Sequence, residues 1–271
     1  MRIGTINMQG QPIAQIDRMR FHTQLKKEII ELIIDKQIRG LIRCLEKYSI
    51  DIMACQEVNY SFRDRYIYEL EKAGYELLYN KVQYNKTVFT VVGFIIKKEL
   101  KDELLENGNF EGIKWTNKYY QIQFKNHDLS FVTVHVNTKD RKTCMSVIDS
   151  IGDAKNTVLI GDFNAASKNH RGMPSKAEVI AENTDFLNFI FRKKYYEIGE
   201  STNYTYITSN CKNKIDHIFI SERLKEFMKE KAVEIKEYLV EECEHSQKDG
   251  FTDHNMLWFD IDLKLFELKN F

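Results

Sequence analysis

The chain is poor in the residues that interrupt structure. It holds two prolines and 12 glycines among 271 residues, with no Ser/Gly-rich or Pro-rich stretch, no low-complexity segment and no fixed-period repeat. A flexible inter-domain linker and a solenoid are therefore not expected. The five cysteines (Cys44, Cys55, Cys144, Cys211, Cys243) are odd in number, scattered, and form no C-x-x-C pair. That excludes a disulfide framework and a zinc cluster and points to the reducing cytoplasm. No apolar run approaches the roughly 20 residues that span a bilayer, so no membrane span is expected. Met1-Arg2-Ile3-Gly4 runs straight into a strand-like segment, without the basic stretch and apolar run of a secretory signal. The formal net charge is zero, which lacks the basic excess of a dedicated duplex-DNA binder. A basic groove balanced by an acidic face remains compatible with it. The acid-rich stretch Glu230–Glu244 fits such a face.

What is present is a large core. Hydrophobic residues make up 43% of the chain, enough for one domain over residues 1–271, and a monomer is expected. Short β-branched runs predict strands at Arg2–Asn7, Ile50–Gln56, Tyr75–Tyr79, Thr87–Lys97, Lys118–Phe124, Ser130–Asn137, Thr157–Asp162, Thr205–Ile207, Ile215–Ser221 and Met256–Leu263. Helical periodicity is clear in Leu25–Tyr48, where Leu25, Ile29, Ile33, Ile38, Leu41, Ile42 and Leu45 recur. Shorter helices are expected at Phe62–Ala73, Arg141–Gly152, Lys176–Arg192 and Glu222–Lys229. Strands outnumber helices, and some are separated by them. That mixture predicts an α/β fold of two packed mixed β-sheets flanked by helices.

A series of these apolar runs ends on an acid, an amide or an imidazole. Ile6-Asn7, Cys55-Gln56-Glu57, Val134-His135-Val136-Asn137, Gly161-Asp162-Phe163-Asn164, Lys214-Ile215-Asp216-His217 and Thr252-Asp253-His254 share this form. Brought to one rim, they make a pocket of carboxylates, amides and histidines. Such a pocket suits a magnesium-dependent phosphoesterase. The Glu57 carboxylate ends a buried-strand pattern and can ligate a hard cation. Asn7 can offer its carbonyl oxygen to the same ion, or simply form a turn with Gln9 and Gly10. Asp162 and Asn164, two apart at a strand end, face a common point. There the carboxylate can take a proton from an attacking water and the amide can hold that water or a phosphate oxygen. His135 shares a strand face with Thr133 and Asn137. An Asp such as Asp216, buried beside a histidine, orients the ring and favours its protonated form. His254, so held, can donate to phosphate. Taken singly, each of these residues is equally an ordinary turn, loop or surface residue.

The ordered set Asn7, Cys55-Gln56-Glu57-Val58, Gly161-Asp162-Phe163-Asn164, Lys214-Ile215-Asp216-His217-Ile218-Phe219 and Thr252-Asp253-His254 resembles the motifs of the endonuclease/exonuclease/phosphatase family. The family includes DNase I, exonuclease III-like repair nucleases, deadenylases, neutral sphingomyelinases and inositol polyphosphate 5-phosphatases. The resemblance runs from Arg2 to about Ile261. It implies a four-layer, DNase I-like α/β sandwich and a Mg2+ cofactor, with Mn2+ as a substitute. It assigns Glu57 as main metal ligand with Asn7 near it, and gives Asp162 and Asn164 the water and phosphate. It pairs Asp216 with His254 on the scissile phosphate, and has Asp253 complete the metal and water network. Exonuclease III-like enzymes usually carry tyrosine at the His135 position. The histidine is closer to DNase I, the sphingomyelinases and the phosphatases, where it helps the leaving oxygen. The neutral Gln9 also departs from some repair nucleases, which have an acid there.

Substrate contacts are expected from Asn137, from Arg141 beside Lys139 and Lys142, and from Lys168, His170 and Arg171 after Asn164. Arg192-Lys193-Lys194 with Tyr195-Tyr196 mixes basic and aromatic residues as single-strand binders do, but a helix end followed by a buried strand explains it more simply. The sequence thus predicts a nuclease acting on DNA or RNA by in-line attack of water. The alternatives are an esterase for a small phosphorylated molecule or lipid-linked phosphate, such as an inositol phosphate or sphingomyelin, and a binding module that has lost catalysis. The intact set of site residues argues against the last.

Overall fold

The computed structural model describes residues 1–9, 23–79, 90–106, 118–151, 156–166, 177–199, 204–207, 212–240 and 251–266. Two six-stranded mixed sheets face each other. The first contains β1 (Arg2–Asn7), β2 (Ile52–Asn59), β3 (Tyr75–Tyr79), β4 (Thr90–Lys97), β13 (Glu237–Val240) and β14 (Met256–Asp260), in the order β13-β14-β1-β2-β4-β3. The second contains β5 (Leu104–Glu106), β6 (Tyr119–Phe124), β7 (Ser130–His135), β8 (Thr157–Asp162), β9 (Tyr195–Glu197) and β12 (Asp216–Ser221), in the order β5-β6-β7-β8-β12-β9. A small ribbon pairs β10 (Tyr206–Ile207) with β11 (Lys212–Asn213).

Three apolar clusters make the layering. Between the sheets, Ile3, Ile52, Phe94 and Leu257 meet Ile122, Phe131, Ile160 and Ile218. Helix α1 (Thr23–Lys47) and helix α2 (Arg63–Lys72) cover the outer face of the first sheet through Ile34, Leu41, Tyr66 and Leu70 against Met53 and Ile95. Helix α3 (Arg141–Ile151) and helix α4 (Ala177–Arg192) cover the second through Cys144, Val147 and Phe186 against Val132, Leu159 and Phe219. The order α/β/β/α is the expected four-layer sandwich. Helix α5 (Glu222–Glu230) tucks Leu224 and Met228 into the inter-sheet cluster, and the Ser221 side chain caps it by accepting from the Leu224 N–H.

The structure adjusts several expectations. The buried stripe of α1 is Ile30, Ile34, Ile38, Leu41 and Leu45, while Leu25 is exposed. The doubled Ile29-Ile30 and Ile33-Ile34 leave two candidate stripes in sequence, and the contacts with Met53 and Ile95 select one. The strand expected over Ile50–Gln56 runs on to Asn59 through a register shift between Cys55 and Val58. The strand expected over Met256–Leu263 ends at Asp260 and gives way to a helical turn at Leu263–Phe266. Strands β5, β9, β11 and β13 are additions. They are two to four residues long, too short for alternation to register, and β13 lies in the acid-rich stretch. Tyr195 is buried in β9, Lys193 pairs with Asp149 and Lys194 with Glu222. That basic-aromatic patch is therefore a helix end and a strand, as the simpler explanation has it.

Topology gathers the polar strand ends. β1 and β2 are parallel, as are β7 and β8, so Asn7, Glu57, His135 and Asp162 leave their strands on one side. β14 and β12 are antiparallel to β1 and β8, so Asp253-His254 and Asp216 enter from that same side. His135 and Asp216 both register with Asp162.

Candidate active site

Each side chain at this rim is held by a local device. Glu57 sits in the bulge of β2 with φ 54. A left-handed non-glycine residue is strained, and here the bulge turns Glu57 off its strand. Gly161 precedes Asp162 at φ 140, where an added Cβ would lie 2.3 Å from the Val134 carbonyl oxygen and 3.0 Å from Gln56 Nε2. Only glycine fits there. Gly40 of α1 gives the corresponding room to Phe251, whose ring a Cβ would meet at 2.2 Å. That close fit anchors the segment carrying Thr252, Asp253 and His254. Behind the rim, buried Gln56 donates to Thr133 Oγ1 at 3.0 Å and to Thr5 Oγ1 at 3.1 Å, tying the two sheets.

At the centre is Asp162, 2% exposed. Its Oδ2 accepts from Asn7 Nδ2 at 2.9 Å and from Asn164 Nδ2 at 3.2 Å, and its Oδ1 accepts from the Asn164 backbone N–H at 2.8 Å. Burial pushes its carboxyl up from the usual range, and neighbouring Asp216 adds to this. His254, His135 and the Asn164 N–H pull it back. Asn7 forms the turn that its sequence context allows, with Oδ1 accepting from the Gln9 N–H at 2.8 Å. Its carbonyl oxygen keeps a second lone pair.

His254 Nδ1 lies 2.8 Å from Asp216 Oδ2, and its Nε2 lies 3.8 Å from Asp253 Oδ1. Burial pulls the imidazole down, but Asp216, joined by Asp162 and Asp253, outweighs it and raises His254 to about 10. The ring is an imidazolium with a donor at each nitrogen. Asp216 is fixed in turn by Thr205 Oγ1, which accepts from its N–H at 3.0 Å. On the other flank His135 Nε2 lies 3.3 Å from Glu57 Oε1 and 3.9 Å from Asp162 Oδ2.

The donor set fits a hard divalent cation. Glu57, Asp162, Asp216 and Asp253 bring four carboxylates to one rim, against the His254 imidazolium and Lys118. Asp216 Oδ1 is buried with no hydrogen-bond partner among the described residues. Among those residues, the histidine and acidic atoms gathered within 4.8 Å of one another belong to Asp162, Asp216 and His254. The charge that Asp216, Asp162 and Asp253 favour on His254 works against its ligating a metal. The oxygen donors Glu57, Asn7 and Asp253 do suit magnesium.

The expected phosphate contacts are placed unevenly. Asn137 is half-buried just past β7. Arg141 is 8% exposed and points into the packing of α3 on α4: it donates to Asn183 Oδ1 and, at 3.3 Å, to the Asn164 carbonyl. Its guanidinium therefore braces Asn164 instead of facing the open rim. Lys168, His170 and Arg171 lie outside the described residues. Three contributors were not read as functional from sequence. Gln9 donates to Asp253 Oδ2 at 2.7 Å, Thr252 Oγ1 donates to the Asn7 carbonyl at 2.6 Å, and Lys118 meets His135. Gln9 carried a signal in its position two after Asn7, and Thr252 in opening the Thr252-Asp253-His254 motif.

No family model and no curated protein matches this sequence. Solved structures do match. An AP endonuclease from Archaeoglobus fulgidus superposes at TM-score 0.64 with 13% identity, covering 97% of this chain and 99% of that one. The endonuclease domain of TRAS1, a telomere-specific non-LTR retrotransposon, gives TM-score 0.59 and 15% identity over 97% and 98%. An endonuclease/exonuclease/phosphatase family protein from Leptotrichia buccalis gives 0.59 and 15% over 97% and 99%. The chain has the fold of the endonuclease/exonuclease/phosphatase proteins along nearly its whole length. Among the described residues no helix is long and apolar enough to cross a membrane.

Proposed function

We propose that this protein is a magnesium-dependent phosphoesterase of the endonuclease/exonuclease/phosphatase family, and that its substrate is a nucleic-acid phosphodiester. The observation that carries the reading is the junction of the two sheets at Asp162, where Asn7 from one sheet and Asn164 from the other hold a single buried carboxylate. Asp216–His254 stands on one side of it and Glu57–His135 on the other. A structural core has no use for four carboxylates at one rim.

Magnesium, held by Glu57 with Asn7 and Asp253, would supply charge neutralisation at the phosphate oxygens. The protein's own groups do the rest. Asp162, poised by burial toward protonation, aligns the attacking water and receives its proton. Asn164 directs its amide to that water or to a phosphate oxygen. His254, locked by Asp216, presents Nε2–H to a non-bridging phosphate oxygen, where negative charge accumulates as water attacks in line. His135 presents its ring to the leaving oxygen. Asn137, Lys168, His170 and Arg171 supply outer phosphate contacts. The enzyme acts as a single-domain monomer in the reducing cytoplasm, a setting in keeping with the buried free thiols of Cys44, Cys55 and Cys144.

A second reading, esterase action on a small or lipid-linked phosphate, is favoured by His135 and the zero net charge. A magnesium-dependent hydrolysis panel separates the two. It comprises plasmid DNA, single-stranded DNA, RNA, an abasic duplex, inositol phosphates and sphingomyelin. Cleavage of nucleic acid supports the first reading. Cleavage confined to inositol phosphates or sphingomyelin replaces it with the second.

A further inference from the structure

Behind His135 stands a buried lysine, Lys118. Lys118 lies just before β6, 8% exposed, with Nζ 3.0 Å from His135 Nδ1. The antiparallel register Tyr119↔Val134 sets it opposite His135 on the neighbouring strand. The far nitrogen of the same ring, Nε2, faces Glu57 and Asp162 at 3.3 Å and 3.9 Å. The imidazole is therefore clamped between an ammonium on one nitrogen and two carboxylates on the other.

We propose that Lys118 is a positioning residue that fixes the tautomer of His135, leaving Nδ1 as acceptor and Nε2–H as the donor aimed into the active site. This rests on the reading of His135 as part of that site. In its charged form Lys118 has three donors and no acceptor, and the nitrogen it meets at 3.0 Å then presents its lone pair. The reverse tautomer would set N–H against N–H at Lys118 and a lone pair against the carboxylates of Glu57 and Asp162. Both ends of the ring then prefer the same proton position. Burial pulls Lys118 down, while Glu57, Asp140 and Asp162 favour its charged form. Functionally, an Nε2 already carrying a proton is a donor to the leaving oxygen and steadies Glu57 in its bulge. It cannot accept the proton of the attacking water, which leaves that task to Asp162.

The test is the nitrogen chemical shifts of His135 in protein carrying 15N-histidine, at neutral pH. Long-range 1H–15N spectra are recorded for the wild type, Lys118→Met and Lys118→Arg, with and without magnesium, and His135→Gln assigns the signals. The expected result is a bare Nδ1 and a protonated Nε2 in the wild type, an Nδ1–H population in Lys118→Met, and restoration in Lys118→Arg. In a substrate assay kcat falls about 10–100-fold in Lys118→Met, with KM little changed and partial rescue by Arg. An Nδ1–H in the wild type overturns the proposal, as does an unchanged tautomer in Lys118→Met whatever its rate. If the Met variant does not fold, the wild-type and Arg spectra decide. Should no phosphoester be hydrolysed while the spectra behave as expected, the proposed function fails and the role of Lys118 stands.

Discussion

His254 Nδ1 and Asp216 Oδ2 lie 2.8 Å apart, both buried, 38 residues apart in sequence. Asp216 opens β12 of one sheet and His254 lies two residues before β14 of the other, so the pair clamps the sandwich at its rim. Removing one member deprives the other of its hydrogen-bonded counter-charge in the interior. Asp216→Ala is expected to cost about 3–5 kcal/mol of stability, and His254→Gln less, because Gln can still donate to Asp216. Urea midpoints of the metal-free proteins check this. Equal and negligible losses would mean the pair is solvated.

Gly161→Ala should disturb the site without touching a polar group. The alanine meets the Val134 carbonyl and needs φ 140, a region closed to side chains. A loss of about 2 kcal/mol or more is expected, together with lower activity from displaced Asp162. Chemical denaturation and a steady-state assay measure both, and a neutral alanine would show that β7 and β8 are not as closely apposed as described.

Magnesium should stabilise the wild type by mass action, about 2.7 kcal/mol at a hundredfold excess over Kd. Glu57→Gln should lose most of this effect while keeping the fold, because the amide fits the same bulge. Thermal melts with magnesium and with a chelator read it directly. Equal magnesium shifts in both proteins would remove Glu57 from the ligand set.

A second charged cluster, of Lys214, Glu197, Glu237 and His217, predicts a pH dependence of stability. Lys214 Nζ lies 2.6 Å from Glu197 and 3.3 Å from Glu237, and His217 Nδ1 lies 2.9 Å from Glu197. Burial alone would raise Glu197, but His217 and Lys214 outweigh it and hold it at about 2. Its stabilisation is present above the ordinary value of 4.5 and is lost as pH falls toward 2. Glu237 is the reverse: burial is the main cause that lifts it to about 7, over the opposing pull of Lys214. The folded state therefore takes up a proton that the unfolded state releases, and stability declines as pH rises from 4.5 through 7. Glu237→Gln should flatten that decline in denaturation midpoints measured from pH 4.5 to 8. An unchanged slope would show that Glu237 is ionised throughout.

Much of the architecture was legible because apolar period and length agree. β1, β3 and β8 have their expected bounds, and all five expected helices are present within a few residues. The short edge strands carried too few residues to show a period. The choice between two stripes on α1 depends on a sheet that sequence does not display. At the site, the polar strand ends were legible as a set because each closes an apolar run. Their convergence follows from which strands are parallel, a tertiary property. Lys118 was unreadable for the same reason, since it meets His135 only through the β6–β7 register. Arg141 was legible as a basic residue after an active-site strand, but its hydrogen bonds to Asn164 and Asn183 were not, because they depend on the packing of α3 on α4.

The most direct test compares magnesium-dependent hydrolysis of the best nucleic-acid substrate by the wild type, Asp162→Ala and His254→Ala, each first shown to be folded. The account predicts cleavage by the wild type that a chelator abolishes, with each variant slower by at least about a hundredfold. Cleavage undiminished in both folded variants would contradict it, because the carboxylate joining the two sheets and the imidazolium beside it would then take no part in the reaction.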